Sequence, residues 1–157
     1  MVKHTLELLE VLMAGVHMTT SMLDDLLNQH IPEDLYLAYQ HGDAFKDKKK
    51  ANPTLRQQVS GFANSAGGVL VCGIDAATWT VTGCCAPGGG SLNEWAARCL
   101  TQMAAYVSPV PCCYTLQHPQ GDVLIVVTAR SPGLVPVLEA SGLEYFFRVR
   151  DQTLPNS

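Results

Sequence analysis

Apolar residues recur at helical spacing over residues 55–63 and then give way to an unbroken apolar run at residues 69–72. The first pattern is typical of a helix with one buried face, and the second is typical of a short buried strand. Gly67 and Gly68 separate the two patterns, and either glycine can supply the positive φ that often ends a helix. Gly73 then allows a tight backbone ahead of Asp75. The sequence therefore predicts a helix that leads directly into a buried strand.

Two short amphipathic stripes precede this junction, at residues 6–13 and 22–27, and Ser21 is the expected N-cap of the second. The pair resembles a helix-turn-helix only superficially. Asp24 and Asp25 lie where a recognition helix needs groups that read bases or bind phosphates. We therefore expect residues 1–30 to form an N-terminal helical extension that packs on the protein or contacts a second copy.

Most of the remaining segments have the character of strands. Residues 35–40 have the side-chain alternation and the aromatic content of a strand. Residues 78–83 suit the return strand of a hairpin whose turn lies near Ala76 and Ala77. Ser91 and Glu94 form a capping box for a helix that stops before Pro109. Residues 112–117, 122–129 and 144–150 are predicted strands, of which the second is apolar enough for the middle of a sheet. Residues 131–136 are a predicted loop.

The overall charge excludes general attraction to polyanions. The chain has 157 residues, 47% of them hydrophobic and 15% charged, with a net charge of −4. These values predict one globular domain with some surface buried against a partner chain, and contact with nucleic acid would need a local basic patch. Six cysteines without C-x-x-C spacing favour buried thiols in a reducing cytoplasm over a zinc site. No apolar run reaches the roughly 20 residues of a membrane helix.

Two groups of basic residues could supply such a patch. The first is the cluster Lys46, Lys48, Lys49 and Lys50, within a polar connector at residues 41–51 that we expect to be a mobile surface loop. Its lysines either remain solvated or contact phosphates. A helix is predicted to start after this loop, with Asn52 as N-cap and Pro53 as its first residue.

The second group is Arg148 and Arg150 on the last predicted strand. The two-residue period of a strand would place both side chains on one face. That face either pairs with carboxylates or binds an anion, and the spacing alone leaves both interpretations open.

Several short motifs together resemble the Schlafen/AlbA-like domain. They are residues 62–68 (Phe-Ala-Asn-Ser-Ala-Gly-Gly), 73–75 (Gly-Ile-Asp), 81–83 (Val-Thr-Gly) and 145–153, and their marker residues are Asn64, Gly67, Gly68, Gly73 and Tyr145. The resemblance covers about residues 33–153. It implies an α+β fold with a mixed, largely antiparallel sheet and flanking helices, over residues 31–157. It also implies nucleic-acid binding within a protein that resembles transcriptional regulators.

The RNA-cleaving members of that family are similar in carrying two glutamates around the first strand and an aspartate after the glycine pair. Glu33 matches the first glutamate and Asp75 the aspartate, but Ala38 stands in place of the second glutamate. Two carboxylates where three are expected would hold Mg²⁺ or Mn²⁺ weakly. The resemblance therefore implies a binding domain without a metal cofactor or catalysis of its own. A metal-dependent endoribonuclease and a non-catalytic dimerisation or interaction domain are the alternatives. We also expect the chain to form a homo-oligomer, namely a dimer.

Overall fold

The structure is a computed structural model that describes residues 2–103, 107, 109–139 and 142–156, with side chains from residue 5 onward. The helices of this part are α1 (Val2–Met13), α2 (Thr20–Asn28), α3 (Lys48–Ala63) and α4 (Leu92–Thr101), with a 3₁₀ turn at Gly42–Phe45. The strands are β1 (Leu37–Gln40), β2 (Gly68–Cys72), β3 (Ile74–Asp75), β4 (Thr80–Val81), β5 (Cys112–His118), β6 (Gly121–Thr128), β7 (Pro136–Glu139), β8 (Gly142–Val149) and β9 (Gln152–Pro155).

The main sheet has the strand order β1-β2-β6-β5. β1 and β2 are parallel, and the other neighbours in this sheet are antiparallel. A second sheet has the order β7-β8-β9, and β3 pairs with β4 as the predicted hairpin. The protein is therefore an α+β fold with a mixed, mostly antiparallel sheet, which confirms the predicted fold class.

Both faces of the main sheet are covered because side chains alternate along each strand. Val69, Val71 and Ile125 face α1 and α2, whose leucines pack into the same cluster. Leu70 and Val126 face α3 and α4. The central strand β6 is buried from Val123 to Thr128, as its continuous apolar run predicts.

The N-terminal helices use their apolar stripes within the chain. Buried leucines of α1 and α2 pack in the same cluster as the sheet face that carries Val69, Val71 and Ile125. They are Leu9, Leu12, Leu23 and Leu27. These leucines therefore pack on the sheet of the same chain, and contact of the N-terminal helices with a second copy stays a prediction. Thr19, rather than Ser21, caps α2, accepting a hydrogen bond from the N–H of Met22.

The junction between α3 and β2 confirms the predicted role of its glycines. Gly67 has φ +80° and Gly73 has φ +111°, so both use a conformation that other residues adopt at a cost. Gly68 serves a different need. A Cβ at Gly68 would lie 2.1 Å from a ring carbon of Phe62, so only glycine lets the strand pass this close to the helix.

The start of α3 differs from the prediction. The helix begins at Lys48 and is capped by Asp47, whose carboxylate accepts from the N–H of Lys49 at 2.9 Å. Residues 41–51 are therefore a 3₁₀ turn and a helix start, not a mobile loop. Pro53 lies inside the helix, where its missing N–H removes one early helical hydrogen bond.

The second sheet was only partly predicted. β8 matches the last predicted strand, whereas β7 follows the proline-containing segment and β9 follows the final turn, and neither was expected. Val135, Val137 and Phe146 join the same core cluster as α3. Helix α3 is thus packed between the main sheet and the second sheet.

Candidate functional site

A basic cleft lies between α3 and α4, with a volume of about 300 Å³. Lys48 and Arg56 line it from α3, and Arg98 lines it from α4. The remaining lining residues are neutral, and they are Asn52, Pro87, Trp95, Cys99 and Gln102. The cleft therefore gathers three cations without an acidic side chain in its lining.

The helical period explains why α3 contributes two of these cations. Lys48, Asn52 and Arg56 are spaced four residues apart and therefore lie on one face of the helix. Lys49 and Lys50 lie in the same first turn and are exposed. The N-terminus of a helix carries a partial positive charge, so acidic residues usually stabilise this turn and lysines oppose it. The three lysines therefore destabilise the first turn of α3 and strengthen the positive potential at this end of the helix.

Hydrogen bonds between the two helices fix the floor of the cleft. The indole Nε1 of Trp95 donates to Oδ1 of Asn52 at 2.8 Å. Nε of Arg56 donates to the carbonyl of Cys99 at 3.2 Å. The indole N–H of Trp95 is thus engaged, and its side chain is only 6% exposed. These two hydrogen bonds connect α3 to α4 at the cleft, and Arg56 is itself one of the bonded residues.

Most of the cationic groups here lack a carboxylate partner. Lys46 is paired, because its Nζ lies 2.7 Å from Oδ1 of Asp43. Lys48, Arg56 and Arg98 form no ion pair within the described part of the chain. Their charges are therefore available to an anion from outside the protein.

Arg148 and Arg150 do not share a face, which corrects the prediction made from the strand period. Arg148 is 5% exposed, and its guanidinium donates to the carbonyls of Asp34 and Leu37 at 3.1 and 2.9 Å. Burial lowers the pKa of this guanidinium. Arg150 lies beyond the end of β8, exposed, with φ +56°. Arg148 therefore holds the fold together and is not free to bind phosphate.

Glu33 occupies the outer edge of β1. The carbonyls of Tyr36 and Gln40 accept from the N–H groups of Val69 and Gly73. Main-chain groups of successive residues in a strand point to opposite sides, so those of Tyr39 point away from β2. The N–H of Tyr39 donates to the Glu33 carboxylate at 2.8 Å. Burial raises the pKa of the Glu33 carboxyl, although this hydrogen bond and the charge of Arg148 oppose the rise. The carboxylate already has a structural partner.

Asp75 also has a local partner, because its Oδ1 accepts from the N–H of Ala77 at 2.9 Å in the β3–β4 turn. Ala38, where the second family glutamate is expected, is fully buried in β1. No group of three or more His, Cys, Asp or Glu side chains in the described residues could hold a metal ion. The roles of Glu33 and Asp75 as metal ligands remain predictions.

Asn64 joins α3 to the second sheet. Its Nδ2 donates to the carbonyls of Val135 and Phe146 at 3.0 and 2.9 Å, and its Oδ1 accepts from the N–H of Val135 at 2.7 Å. The main-chain carbonyl of Tyr145 accepts from the N–H of Asn156, which connects β8 to the end of β9. These motif residues serve the fold.

Sequence reasoning missed Arg56 and Arg98. The signal for Arg56 was present in its four-residue spacing from Lys48 and Asn52, but it is visible only if the helix starts at Lys48. Arg98 lies beside Lys48 and Arg56 because α4 packs on α3, and no local sequence pattern predicts that contact.

The chain is similar to a known protein family and to solved structures. Residues 33–156 match the family model described as Schlafen, AlbA_2. A crystal structure of the DIP2311 protein from Corynebacterium diphtheriae is similar at 15% identity and a TM-score of 0.61, over 87% of this chain and 26% of that one. A solution structure of the N-terminal domain of a RecG-related protein from Nitrosomonas europaea has 17% identity and a TM-score of 0.47, over 73% of this chain and 74% of that one.

The Corynebacterium protein is much longer than the matched segment, since the chain spans 26% of its length. Comparison with curated proteins gave no match. Among the helices of the described residues, none is both long and apolar enough to cross a membrane.

Proposed function

The chain belongs to the Schlafen, AlbA_2 family, and from this we propose that it is a nucleic-acid-binding domain that contacts phosphates through the cleft between α3 and α4. The observation that carries the proposal is the convergence of Lys48, Arg56 and Arg98 on one cleft with no acidic lining residue. The net charge of −4 repels polyanions, so binding depends on such a local concentration of cations.

The chemistry of the cleft favours contact with the backbone over the reading of bases. Lysine and arginine neutralise phosphates and release counterions, which supplies affinity without sequence information. Stacking on bases needs an exposed aromatic face. Trp95, the aromatic residue of this cleft, is buried and its N–H is already bonded to Asn52. We therefore propose binding with little preference for sequence.

We also propose that this domain binds without cleaving. The Glu33 carboxylate accepts from Tyr39, the Asp75 carboxylate accepts from Ala77, and Ala38 supplies no oxygen. A divalent cation would need these carboxylates to leave their partners and converge. Catalysis would be supported instead by Mg²⁺- or Mn²⁺-dependent cleavage of structured RNA that Asp75→Ala abolishes.

The direct test is binding of labelled single-stranded and duplex oligonucleotides at low salt, measured by fluorescence anisotropy. The test variant is Lys48→Gln/Arg98→Gln, which removes two exposed charges from the cleft. The matched control is Arg130→Gln/Arg150→Gln, which removes two exposed charges elsewhere. We expect the cleft variant to bind at least about tenfold more weakly than the control. The proposal fails if neither oligonucleotide binds the wild-type chain, or if both variants bind equally well.

A role in transcriptional regulation and a cytoplasmic location stay predictions from the sequence. The first would be supported by occupancy of specific promoter DNA in cells. The second would be supported by fractionation of the protein with the cytoplasm.

A further inference from the structure

β5 forms an edge of the main sheet, and its outer side presents a row of main-chain groups. The N–H groups of Val69 and Gly73 donate to β1, so alternation turns Leu70 and Cys72 toward β6. The same alternation along β6 turns Ile125 toward β5. The outward positions on β5 are therefore Cys113, Thr115 and Gln117. Within the described residues, no hydrogen bond is made to the main-chain groups of these three.

The opposite edge of the sheet, formed by β1, has hydrogen bonds to its outward main-chain groups. On β1 the outward N–H of Tyr39 is bonded to Glu33, and the outward carbonyl of Leu37 is bonded to Arg148 and to the N–H of Asp34. Proteins usually protect a sheet edge by such contacts, by charged residues or by proline, because an open edge pairs with another strand. β5 has neither charge nor proline between residues 112 and 117.

β5 is also held in a fixed conformation. Tyr114 stacks on the ring of His17 with centroids 4.0 Å apart, and its hydroxyl accepts from the N–H of Met18 at 2.7 Å. On the other side of the strand, the hydroxyl of Thr115 donates to the side chain of Asn93 at 3.3 Å. A strand held on both sides does not have to be ordered when a partner arrives, which lowers the entropic cost of pairing.

We propose that β5 pairs with β5 of a second copy of this chain, antiparallel, to form a symmetric dimer with a continuous sheet. The outward residues are symmetric about Thr115, so a two-fold axis there places Thr115 opposite its own copy. Cys113 then lies opposite Gln117 of the second copy, and Gln117 opposite Cys113. Each of these three pairs exchanges two N–H···O=C bonds.

The side chains fit this register. Tyr114 lies opposite Leu116 of the second copy on the face that carries α1 and α2, and such aromatic–aliphatic pairs stabilise antiparallel strands. Residues 112–117 carry no charge, so no like charges oppose each other across this strand pair. A second copy therefore satisfies every outward group of the edge. This inference goes beyond the proposed function and involves none of the cleft residues.

The test uses the axis itself, because a residue on a two-fold axis opposes its own copy. In Thr115→Lys two lysines meet, and in Thr115→Glu two glutamates meet, so each variant should dimerise at least about tenfold more weakly than the wild type. A mixture of the two variants places lysine opposite glutamate and should recover the dimer. Analytical ultracentrifugation at about 100 μM measures all three, with circular dichroism to show that each variant is folded.

The matched control is Leu138→Lys on β7, another edge strand, where the leucine is 74% exposed. This variant should remain as dimeric as the wild type. The proposal is overturned if the wild-type chain is a monomer, if Leu138→Lys alone disrupts the dimer, or if the lysine and glutamate variants each remain dimeric. Failure of the mixture to recover the dimer would place the contact away from the axis and would also overturn it.

Discussion

The carboxamide of Asn64 is bonded to both main-chain groups of Val135, 71 residues further along the chain. The N–H of Val135 donates to Oδ1 at 2.7 Å, and Nδ2 donates to the carbonyl of Val135 at 3.0 Å. The same Nδ2 reaches the carbonyl of Phe146 at 2.9 Å. One side chain at the end of α3 therefore fastens the second sheet to the helix.

Replacing Asn64 with alanine should destabilise the protein strongly. The change leaves the N–H of Val135 and the carbonyl of Phe146 without the partner that Asn64 gives them, and each such group costs about 1–3 kcal/mol, whereas the carbonyl of Val135 still accepts from the hydroxyl of Ser60. We expect the free energy of unfolding, measured in urea, to fall by about 2–4 kcal/mol. The control Asn28→Ala removes an exposed asparagine from α2 and should change it by less than about 0.5 kcal/mol. Equal effects of the two changes would contradict this role of Asn64.

Arg148→Met should affect stability and leave nucleic-acid binding by the folded protein unchanged. The substitution removes the donors that Asp34 and Leu37 accept from, and it also removes a cation placed 5.1 Å from the centre of the Phe62 ring. Loss of such a buried, bonded charge typically costs about 3 kcal/mol. Urea unfolding measures the loss, and oligonucleotide titration measures binding. A variant that is as stable as the wild type but binds nucleic acid more weakly would contradict this prediction and would support phosphate binding by Arg148.

Stability should depend on pH through Glu33. Burial raises its pKa in the folded chain, so the folded protein holds the proton more tightly than the unfolded chain does. Stability from this group is therefore fully present below the unfolded pKa and is lost as pH rises through the folded pKa. Glu33→Gln removes the titration while keeping an oxygen acceptor for Tyr39.

The unfolding free energy of Glu33→Gln, relative to wild type, should therefore increase as pH rises from about 4 to 7. Urea unfolding across this pH range checks the trend. A constant or decreasing difference would show that the hydrogen bond from Tyr39 and the charge of Arg148 outweigh burial.

The adjacent thiols of Cys84 and Cys85 should react at very different rates. Burial raises the pKa of Cys84 to about 12, and burial also raises the pKa of Cys72 well above its ordinary value. Cys85 is exposed. Iodoacetamide at about pH 8, read by peptide mass spectrometry, should label Cys85 first and reach Cys84 and Cys72 only in denaturant. Labelling of Cys84 as fast as Cys85 would contradict this packing.

The sequence was most informative where structure depends on neighbours in the chain. The helix-to-strand junction was predictable because its periodicity and its glycines lie within one short segment. The start of α3 was not, because Asn52 and Pro53 form a strong local signal for a helix start. The true cap, Asp47, starts the helix earlier and places Lys48 and Arg56 on one face.

Long-range contacts determine whether the other predicted site residues are buried or exposed. Arg148 shares its inward face with Phe146, and its acceptors at Asp34 and Leu37 lie 114 and 111 residues away. No local pattern distinguishes such an arginine from an exposed one. The cleft likewise depends on how α4 packs on α3, so Arg98, one of its three cations, could not be predicted before the two helices were placed.

The salt dependence of binding tests the central claim most directly. The logarithm of the association constant for a single-stranded or duplex oligonucleotide is measured against the logarithm of salt concentration, for the wild type, Lys48→Gln/Arg98→Gln and Arg130→Gln/Arg150→Gln. Each lost phosphate contact reduces the steepness of this line by about 0.7–0.9. We predict that the cleft variant loses roughly 1.4–1.8 in slope while the control keeps the wild-type slope. An unchanged slope in the cleft variant, or an equal loss in the control, would contradict phosphate binding between α3 and α4.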